Sequence, residues 1–492
     1  MKNTEVKKVS FTVIILLVIA AGGFFGFRSL QSLINTPPNI IFILTDDLDL
    51  PLLPYMENTN KLIGEQGATF TNYFVTSSAC CPSRATTIRG QYPHNTNILE
   101  NSPGFRNFYR NNKEDETIAV WLQRKGYRTA LTGKYLNGYP VVAGRNYVPP
   151  GWDDWHVFFH HDAEDDEGWY FYNYTLNENG ALVDYGYAPE EYSTDVIARK
   201  SIDFIATSIA DRSPFFIYIA AMSPHGPSTP APRHENMFLD LVFPKKDSFN
   251  EEDISDKPSL IQEQVNNGDD FDAYDADALF IKRVQTMQAT DEMVGEIVRM
   301  LEQSGQLDNT YIIFTSDNGF HMGEHGLSAG KMLAYEEDIH VPLLIRGPGI
   351  APNTTVTQMT ANIDIAPSLA HMAGAKSAEF VDGRSFVRFF DAQENDDADW
   401  RKALLIETGY LDRESRVIAY RGVRTENYIY LEYENGELEF YDLIADPYEM
   451  NNIAGKLDPA TLSTLHSWLE DLKSCQADGC RTAENALPEI KY

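Results

Sequence analysis

Basic residues are scarce in this chain. Lysine and arginine together number 40, against 72 aspartates and glutamates, so the formal net charge is −32 and the sequence pI is about 4.6. The summed field of such a chain repels polyanions before contact, which argues against nucleic acid as a partner. An anionic substrate would need a site where a metal ion and a few lysine or arginine side chains reverse this field.

Extended low-complexity tracts are absent, and hydrophobic residues make up 43% of the 492 positions. That share of apolar residues supplies a packed core and excludes a largely disordered chain. The length exceeds that of one ordinary core. We therefore expect a large α/β domain at residues 38–385 and a smaller C-terminal subdomain at residues 386–492.

Long hydrophobic runs are confined to the N-terminus. Residues 11–27 read FTVIILLVIAAGGFFGF and follow Lys2, Lys7 and Lys8. As a helix the run would span roughly 26 Å. We interpret residues 1–37 as a cytoplasmic N-terminus, a membrane anchor and a linker, with the rest of the chain exported. The small residues at 20–23 leave an alternative, in which the segment is cleaved and the protein is secreted.

Cysteine is rare as well, with four in the chain. Cys475 and Cys480 lie close together near the C-terminus, where an exported protein can close a small structural disulfide loop. Cys80 and Cys81 are adjacent, and a disulfide between sequence neighbours is strained. This second pair therefore requires a different role.

Three apolar runs end abruptly in polar residues: NIIFILTDD from residue 39, SPFFIYIAAMSPH from residue 213 and TYIIFTSDNG from residue 310. Runs of this kind are typical of buried parallel strands. Ligands of open α/β sheets bind outside the carboxyl ends of the strands. We therefore expect the polar ends of these three strands to converge on one crevice.

Helical periodicity separates the predicted strands. Apolar residues recur at helical spacing between residues 281 and 301, and again in ETIAVWLQRKGY, which ends after Gly126. Strands that alternate with helices predict a mostly parallel sheet flanked by helices. Residues 243–277 are acidic and lack a sustained period, so we predict an insertion or surface loop there.

The C-terminal part has a different pattern. Short β-like runs read ALLIET, RVIAYRGVRT and NYIYLEY, and Asn435-Gly436 marks a hairpin turn. Apolar residues between 460 and 472 recur at helical spacing. These patterns predict a small antiparallel sheet with one face covered by a final helix.

The most specific signal is CCPSR at residues 80–84. It resembles the C-x-P-S-R signature of the type I sulfatases, in which the first cysteine is oxidised to formylglycine before folding. The resemblance implies an alkaline-phosphatase-like fold, a formylglycine-generating maturation enzyme as partner, and a nucleophile made from Cys80 rather than Cys81. One hydroxyl of a geminal diol attacks sulfur and the other then expels sulfate, which a serine cannot do. Arg84, one helical turn later, would hold the diol oxygens.

Acidic and amide side chains follow two of the predicted strands, as Asp46-Asp47 and Asp317-Asn318. Oxygen ligands of this kind suit a hard cation, with Ca²⁺ as first choice and Mg²⁺ as the alternative. An Asp-Asp pair alone is more often a helix cap or a solvated turn. All four positions match the family relative to Cys80, so the resemblance implies a divalent ion bound by these four residues and the residue formed from Cys80.

Three further residues lie in segments that match the family: Lys134 in TGKYLNG, His225 in SPHGP, and Lys331 in HMGEHGLSAGKM. The resemblance implies that all three face the sulfate. The lysines would bind its oxygens, and His225, together with Lys331, would supply the proton that the leaving alkoxide needs.

One position departs from the family pattern. Many arylsulfatases have a second histidine two residues after the lysine of the GK motif, where this chain has Leu136. The base that triggers sulfate elimination is therefore open, with His94, His321 and His325 as candidates outside the predicted catalytic core.

The resemblance extends from residue 39 to about residue 452. The segments CCPSRA, GKYLN, PPGWDDWH, YNYTLNENG and TPAPRH resemble the branch that contains N-acetylglucosamine-6-sulfatase and the heparan 6-O-endosulfatases. This branch implies a sulfated amino sugar or polysaccharide as substrate. Trp152 and Trp155 are then either sugar-stacking walls or core residues.

Two alternatives stay open at this stage. A phosphatase, phosphodiesterase or phosphoglycerol transferase has the same fold, although a formylglycine signature at residues 80–84 has no role in those enzymes. A carbohydrate-binding protein in which Cys80 is never oxidised is the second alternative.

Overall fold

The computed structural model of the protein describes residues 37–159, 171–268, 271–391, 399–409 and 419–492. No helix within these ranges is long and apolar enough to cross a membrane. The anchor that we predict at residues 11–27 lies outside them and stays a prediction. Residues 39–492 form one compact unit.

The three apolar runs of the sequence are adjacent strands in the centre of one large sheet. Across the described residues this sheet has ten strands. Their order in space is β11 (Thr354–Val356), β2 (Ala68–Phe70), β10 (Leu343–Arg346), β9 (Thr310–Ser316), β1 (Asn39–Asp46), β8 (Phe215–Pro224), β4 (Arg128–Gly133), β5 (Asp154–Phe158), β6 (Thr175–Glu178) and β7 (Ala181–Asp184). Strand β3 (Tyr73–Phe74) pairs separately with β12 (Thr360–Ala361).

The pairing in the centre of the sheet is parallel. Strand β1 pairs in parallel with both β8 and β9, and β4 joins β8 and β5 in the same direction. Strands β6, β7 and β10 run antiparallel to their neighbours. The predicted α/β class with a mostly parallel sheet is confirmed.

Helices cover both faces of this sheet. The helices of the described residues are, in chain order, α1 (Glu57–Thr59), α2 (Cys80–Arg89), α3 (Pro93–Thr96), α4 (Gly104–Arg110), α5 (Ile118–Arg124), α6 (Ser193–Ala210), α7 (Ser259–Asn267), α8 (Ala273–Gln303), α9 (Glu336–Ile339), α10 (Ile365–Met372), α11 (Pro459–Lys473) and α12 (Asp478–Asn485). The last two pack against the C-terminal strands instead. Side chains alternate along β1, so that Phe42 faces one hydrophobic core, which includes residues of α2 and α10, and Ile43 faces another, which includes residues of α6 and α8. This burial on both faces explains the uninterrupted apolar run.

The predicted loop at residues 243–277 is wrong in part, because it contains α7 and the first turns of α8. Leu260 and Ile261 are the buried residues of α7. Two apolar residues are too few to show a helical period in the sequence. Asp272 caps α8 by accepting hydrogen bonds from two backbone amides of its first turn.

The C-terminal sheet has four antiparallel strands, β13 (Ala403–Thr408), β14 (Tyr420–Thr425), β15 (Tyr428–Tyr433) and β16 (Leu438–Asp442). The first three of these strands confirm the predicted antiparallel sheet, and helix α11 confirms the predicted helix at residues 460–472. Gly436 has the positive φ, 87°, that the predicted hairpin turn requires. Strand β16 was not predicted. Cys475 and Cys480 form the predicted disulfide. The domain boundary near residue 385 stays a prediction.

The two tryptophans of the PPGWDDWH segment belong to the core. Trp155 is fully buried and Trp152 is 9% exposed. The indole nitrogen of Trp155 donates to the Tyr139 hydroxyl at 2.8 Å. The interpretation as sugar-stacking walls is therefore not supported, because neither ring presents a free face to a ligand.

A buried ion-pair cluster joins the C-terminal part to the large sheet. Arg401 is fully buried, donates to both carboxylate oxygens of Asp364, and contacts Glu484 at 3.1 Å. We predict that Arg401→Met lowers the free energy of unfolding by about 3–5 kcal/mol, because it leaves the buried Asp364 carboxylate without its cation, whereas Glu484 keeps its contact with Arg384. Urea-induced unfolding followed by tryptophan fluorescence measures this.

The matched control is Arg388→Met, whose partner Asp399 is 77% exposed at the side chain. Loss of an exposed pair changes stability by less than about 1 kcal/mol. Equal midpoint shifts for the two variants would contradict the importance of the buried cluster.

Candidate active site

The carboxyl ends of the three central strands meet at one edge of the sheet, as predicted. Asp46 is the last residue of β1, opposite Pro224 at the end of β8. Asp317 directly follows β9, whose Ser316 lies opposite Thr45. Asp46 and Asp317 are both fully buried, so two carboxylates and the start of the His225 loop lie together in the interior.

Cys80 is the first residue of α2, and the preceding Ala79 has extended backbone. The Cys80 Sγ lies 3.5 Å from Asp46 Oδ1 and 2.8 Å from Lys331 Nζ. Cys81, by contrast, points away from these groups, with its Sγ close to Gly104. The structure therefore brings Cys80, and not its neighbour, to the polar edge of the sheet.

Arg84 lies one turn into α2 and is 1% exposed. Its guanidinium donates to Asp317 Oδ2 at 2.7 Å, to Asp46 Oδ2 at 3.0 Å and to the Lys134 carbonyl at 3.0 Å. A planar guanidinium holds several acceptors in fixed directions at once. Arg84 thus orients the two carboxylates, a role that the sequence had not indicated.

Asp47 and Asn318 form the second half of the site. Asn318 Nδ2 donates to Asp47 Oδ1 at 2.7 Å, and Lys331 Nζ donates to the same oxygen. Asp47 has a positive φ of 68°, an uncommon conformation for a residue with a side chain. This conformation places two consecutive carboxylates on the same cluster.

The charges of the cluster determine its titration. Burial opposes ionisation of Asp46, yet Lys134 and Arg84 hold its pKa well below the usual value. Burial and the negative charge of Asp46 raise the pKa of Asp317. Burial and the same Asp46 carboxylate raise the pKa of the Cys80 thiol to about 12.

Lys134 and His225 complete the arrangement. Lys134 follows β4 and its ammonium group donates to Asp46 Oδ2. His225 Nε2 lies 3.9 Å from Asp47 Oδ2, and its ring is 23% exposed at the side chain. A cavity of about 250 Å³ adjoins Lys134 and is lined by Asn101, Leu136, Phe158 and Met222 among others. This cavity therefore adjoins the cluster at Lys134, on the side of Leu136.

The donor set fits a hard divalent cation. Asp46, Asp47 and Asp317 each bring one carboxylate oxygen within 4.8 Å of the others. The buried amide oxygen of Asn318 has no hydrogen-bond partner, although buried amide oxygens are normally paired. Three carboxylates and a carbonyl oxygen are ligands that calcium or magnesium prefers.

Comparison with known proteins identifies the family. Residues 38–375 match the model of the family described as Sulfatase, and residues 323–475 match the model described as N-sulphoglucosamine sulphohydrolase, C-terminal. The chain belongs to the sulfatase family. The activity common to the family is the hydrolysis of sulfuric esters, and this sulfatase is a sulfuric ester hydrolase.

Several curated relatives cover most of the sulfatase. It is 34% identical to N-acetylglucosamine-6-sulfatase from Capra hircus over 92% of this chain and 87% of that one. It is also 34% identical to the Homo sapiens protein of the same name, over 95% of this chain and 90% of that one. A putative extracellular sulfatase Sulf-1 homolog from Caenorhabditis elegans is 37% identical over 78% of this chain, which covers 54% of that protein.

Solved structures support the fold. One, in complex with its substrate D-glucosamine-2-N,6-O-disulfate, has a TM-score of 0.73 at 25% identity and covers 92% of this chain and 100% of that chain. The phosphonate monoester hydrolase of Agrobacterium radiobacter has a TM-score of 0.68 at 21% identity, over 89% of this chain and 95% of that chain. The expected alkaline-phosphatase-like fold is confirmed.

The histidines outside the predicted catalytic core are held by carboxylates in this sulfatase. His94 Nδ1 bonds to Glu407 at 2.7 Å, and its Nε2 bonds to the Cys475 carbonyl at 3.0 Å. His321 Nδ1 bonds to Asp338 at 2.8 Å, and His325 Nδ1 bonds to Glu251 at 2.7 Å. Leu136 is buried beside Lys134 and lines the cavity. Within the described residues none of His94, His321 and His325 hydrogen-bonds to Cys80, and the identity of the eliminating base stays open.

Sequence reasoning missed one residue beneath the site. Arg283 of α8 is 1% exposed and donates to the Asp47 carbonyl at 2.6 Å and to Asp49 at 2.5 Å. These bonds fix the backbone of Asp47 in its left-handed conformation. The sequence offers one indication of this role, because Arg283 is a charged residue among the apolar residues that α8 buries, next to Val284.

Proposed function

We propose that this sulfatase hydrolyses sulfate esters of sugars with a formylglycine residue made from Cys80 and a divalent metal ion, Ca²⁺ by first choice. The observation that supports this most directly is the position of Cys80, with its Sγ 3.5 Å from Asp46 and 2.8 Å from the Lys331 ammonium group. As a hydrate, formylglycine supplies one hydroxyl to attack sulfur and a second to release sulfate.

The burial of Cys80 supports its oxidation before the chain folds. Its residue is 1% exposed, and helix α2 is buried along its whole length. A maturation enzyme cannot reach a thiol in this position after folding. The formylglycine-generating enzyme therefore acts on the unfolded chain, in which residues 80–84 are accessible.

Asp46, Asp47, Asp317 and Asn318 would hold the metal ion, together with the residue formed from Cys80. When bound, the ion neutralises sulfate charge and favours ionisation of the diol. The unpaired Asn318 Oδ1 is the feature that argues for an ion rather than a purely structural ion-pair network.

The charges of the site favour a sulfate group. Asp46, Asp47 and Asp317 contribute −3, and the three cations that contact them, Arg84, Lys134 and Lys331, contribute +3. The sum is zero before a divalent ion binds and +2 afterwards. A protein with a net charge of −32 thus reverses its field at the point where an anion must bind.

Lys134, Lys331 and His225 border the place where the ester would lie. The lysine ammonium groups would bind the sulfate oxygens that the metal ion does not contact. His225 is the partly exposed group among them and would donate a proton to the alkoxide as the sulfur–oxygen bond breaks. A sugar alcohol is a poor leaving group, so this proton matters more for sugars than for phenols.

The relatives indicate the substrate class. N-acetylglucosamine-6-sulfatases are 34% identical over most of the chain, and the neighbour of 25% identity binds D-glucosamine-2-N,6-O-disulfate. We propose a 6-O-sulfated N-acetylglucosamine unit as the preferred substrate. The extracellular sulfatase homologs support export, with the anchor at residues 11–27 or its cleavage as the two possible forms.

We predict that Cys80→Ala lowers sulfate release by at least about a thousandfold, because it removes the nucleophile. Cys81→Ala should retain activity within about tenfold, since Cys81 faces Gly104 and not the carboxylates. Peptide mass analysis should find residue 80 about 18 Da lighter than cysteine. An inactive Cys81 variant beside an active Cys80 variant would reverse the assignment.

We predict that chelation inactivates the enzyme and that Asp317→Ala removes both calcium binding and turnover, because Asp317 would be a ligand of the ion. Isothermal titration of chelated protein with CaCl₂ measures binding. Asp291→Ala is the matched control, since Asp291 is also buried but bonds to Thr59 of α1. Full activity in a verified metal-free preparation would eliminate the metal mechanism.

We predict that the enzyme releases sulfate faster from 6-O-sulfated N-acetylglucosamine than from an aryl sulfate. His225→Ala should lower kcat/KM for the sugar by about a hundredfold or more and for the aryl ester by less than about tenfold, since a phenolate needs no acid. His466→Ala, a change at an exposed histidine that bonds to Glu432, is the control. A clear preference for another sulfated position, or for a phosphate ester, would refute the substrate assignment.

A further inference from the structure

A second cluster of possible metal ligands lies apart from the site described above. His325, Glu337 and Glu449 each place one ligand atom within 4.8 Å of the other two. His325 and Glu449 are each 1% exposed, and the Glu337 side chain is 7% exposed. The three residues come from the loop after β9, from helix α9 and from the segment after β16, so only the folded chain brings them together.

Two atoms of this cluster lack partners. His325 Nε2 and Glu449 Oε1 are buried and make no hydrogen bond. The other oxygen of Glu449 accepts from the Glu336 amide at 3.0 Å. One oxygen of Glu337 accepts from Lys246 at 2.6 Å. Glu449 therefore has one oxygen fixed by the protein and a second oxygen available for a ligand.

The orientation of His325 is that of a metal ligand. Its Nδ1 lies 2.7 Å from Glu251 Oε2, and its ring stacks on Tyr335 with the centroids 4.1 Å apart. A carboxylate that accepts from one ring nitrogen leaves the lone pair of the other nitrogen free for a metal ion. Glu251 thus sets the tautomer in which Nε2 is the acceptor, aimed at a place with no donor from the protein.

The charges around the cluster also call for a cation. Six carboxylates lie in this region: Glu251, Glu324, Glu336, Glu337, Glu439 and Glu449. Three lysine or arginine side chains pair with them, since Lys257 lies 3.4 Å from Glu251, Lys246 contacts Glu337, and Arg424 contacts Glu336 at 3.0 Å. His340 Nδ1 also lies 3.5 Å from Glu336. Glu439 is satisfied by the hydroxyls of Tyr335, Tyr433 and Tyr441. Glu449 remains a buried carboxylate with no cation of its own.

Buried polar atoms are normally hydrogen-bonded. The unpaired Glu449 Oε1 and His325 Nε2 therefore favour a bound ligand within the cluster.

We propose that His325, Glu337 and Glu449 bind a Zn²⁺ ion, with a water molecule in the fourth coordination position. One imidazole and two carboxylates are a ligand set that zinc accepts, whereas calcium and magnesium prefer oxygen alone. Ligand atoms around a tetrahedral zinc lie about 3.4 Å apart. The cluster reaches this geometry with a contraction of the order of 1 Å. The ion would join the loop that carries Lys331 to the C-terminal sheet.

The test uses untagged enzyme produced in zinc-supplemented medium, then dialysed against a weak chelator in the presence of CaCl₂. Elemental analysis should find about one zinc per chain in the wild type. Glu449→Gln, which keeps the shape of the side chain, should lose at least about nine tenths of that zinc. Asp317→Ala should retain it, so that loss of the proposed calcium site and loss of the zinc site are distinguished.

His466→Ala is the matched control, because His466 lies in an exposed group with Glu432 and Glu470 that could bind zinc adventitiously. Crystals of the wild-type enzyme measured at the zinc absorption edge should give an anomalous peak between His325 and Glu449. This measurement decides the question even if Glu449→Gln fails to fold. Absence of the peak, or wild-type zinc content in Glu449→Gln, would overturn the proposal.

Discussion

The structure depends on the burial of acidic side chains at the carboxyl ends of β1 and β9. Asp46 and Asp317 are both fully buried, and a carboxylate without a cation in such a place would take up a proton or prevent folding. Arg84 contacts both, at 3.0 and 2.7 Å. This single guanidinium ties helix α2 to two strands that are remote in sequence, and it thereby positions Cys80 at the first turn of that helix.

The second carboxylate of the Asp46-Asp47 pair requires a distorted backbone. Successive residues of a strand point to opposite faces, so Asp47 can share the cluster only after the strand ends. Its φ of 68° makes this turn, and Arg283 stabilises it through the Asp47 carbonyl. The site therefore depends on a residue of α8 that bonds to the Asp47 backbone and to Asp49 rather than to Cys80 or the lysines.

The central strands and the residues at their ends could be predicted from the sequence for one physical reason. Strands buried on both faces read as continuous apolar runs, and polar residues must begin where the strand leaves the core. The convergence of Asp46, Asp317 and His225 follows from this rule. Helix α7 and the burial of Trp152 and Trp155 could not be predicted in the same way, because they depend on partners far away in the chain.

The Glu449 cluster shows the same limit. Glu251, His325, Glu337 and Glu449 belong to four separate segments, and each alone is typical of a solvated acidic surface or a turn. Their meeting depends on the docking of β15 and β16 against the loop after β9. The net charge does not predict this cluster either, because a chain with 72 acidic residues has many more carboxylates than any one site needs.

This docking explains why the position of Lys331 in its loop requires the C-terminal sheet. Lys331 lies in a loop that is closed at its base by Asp338, which bonds to His321 at 2.8 Å and to the Leu333 amide at 2.8 Å. The C-terminal sheet adds Arg424 on Glu336 and Glu439 on the Tyr335 hydroxyl. A long lysine side chain loses much conformational freedom when its ammonium group is fixed beside Asp47 and Cys80. The rigid loop limits that loss to the side chain, because the backbone of the lysine is already held by both parts of the chain.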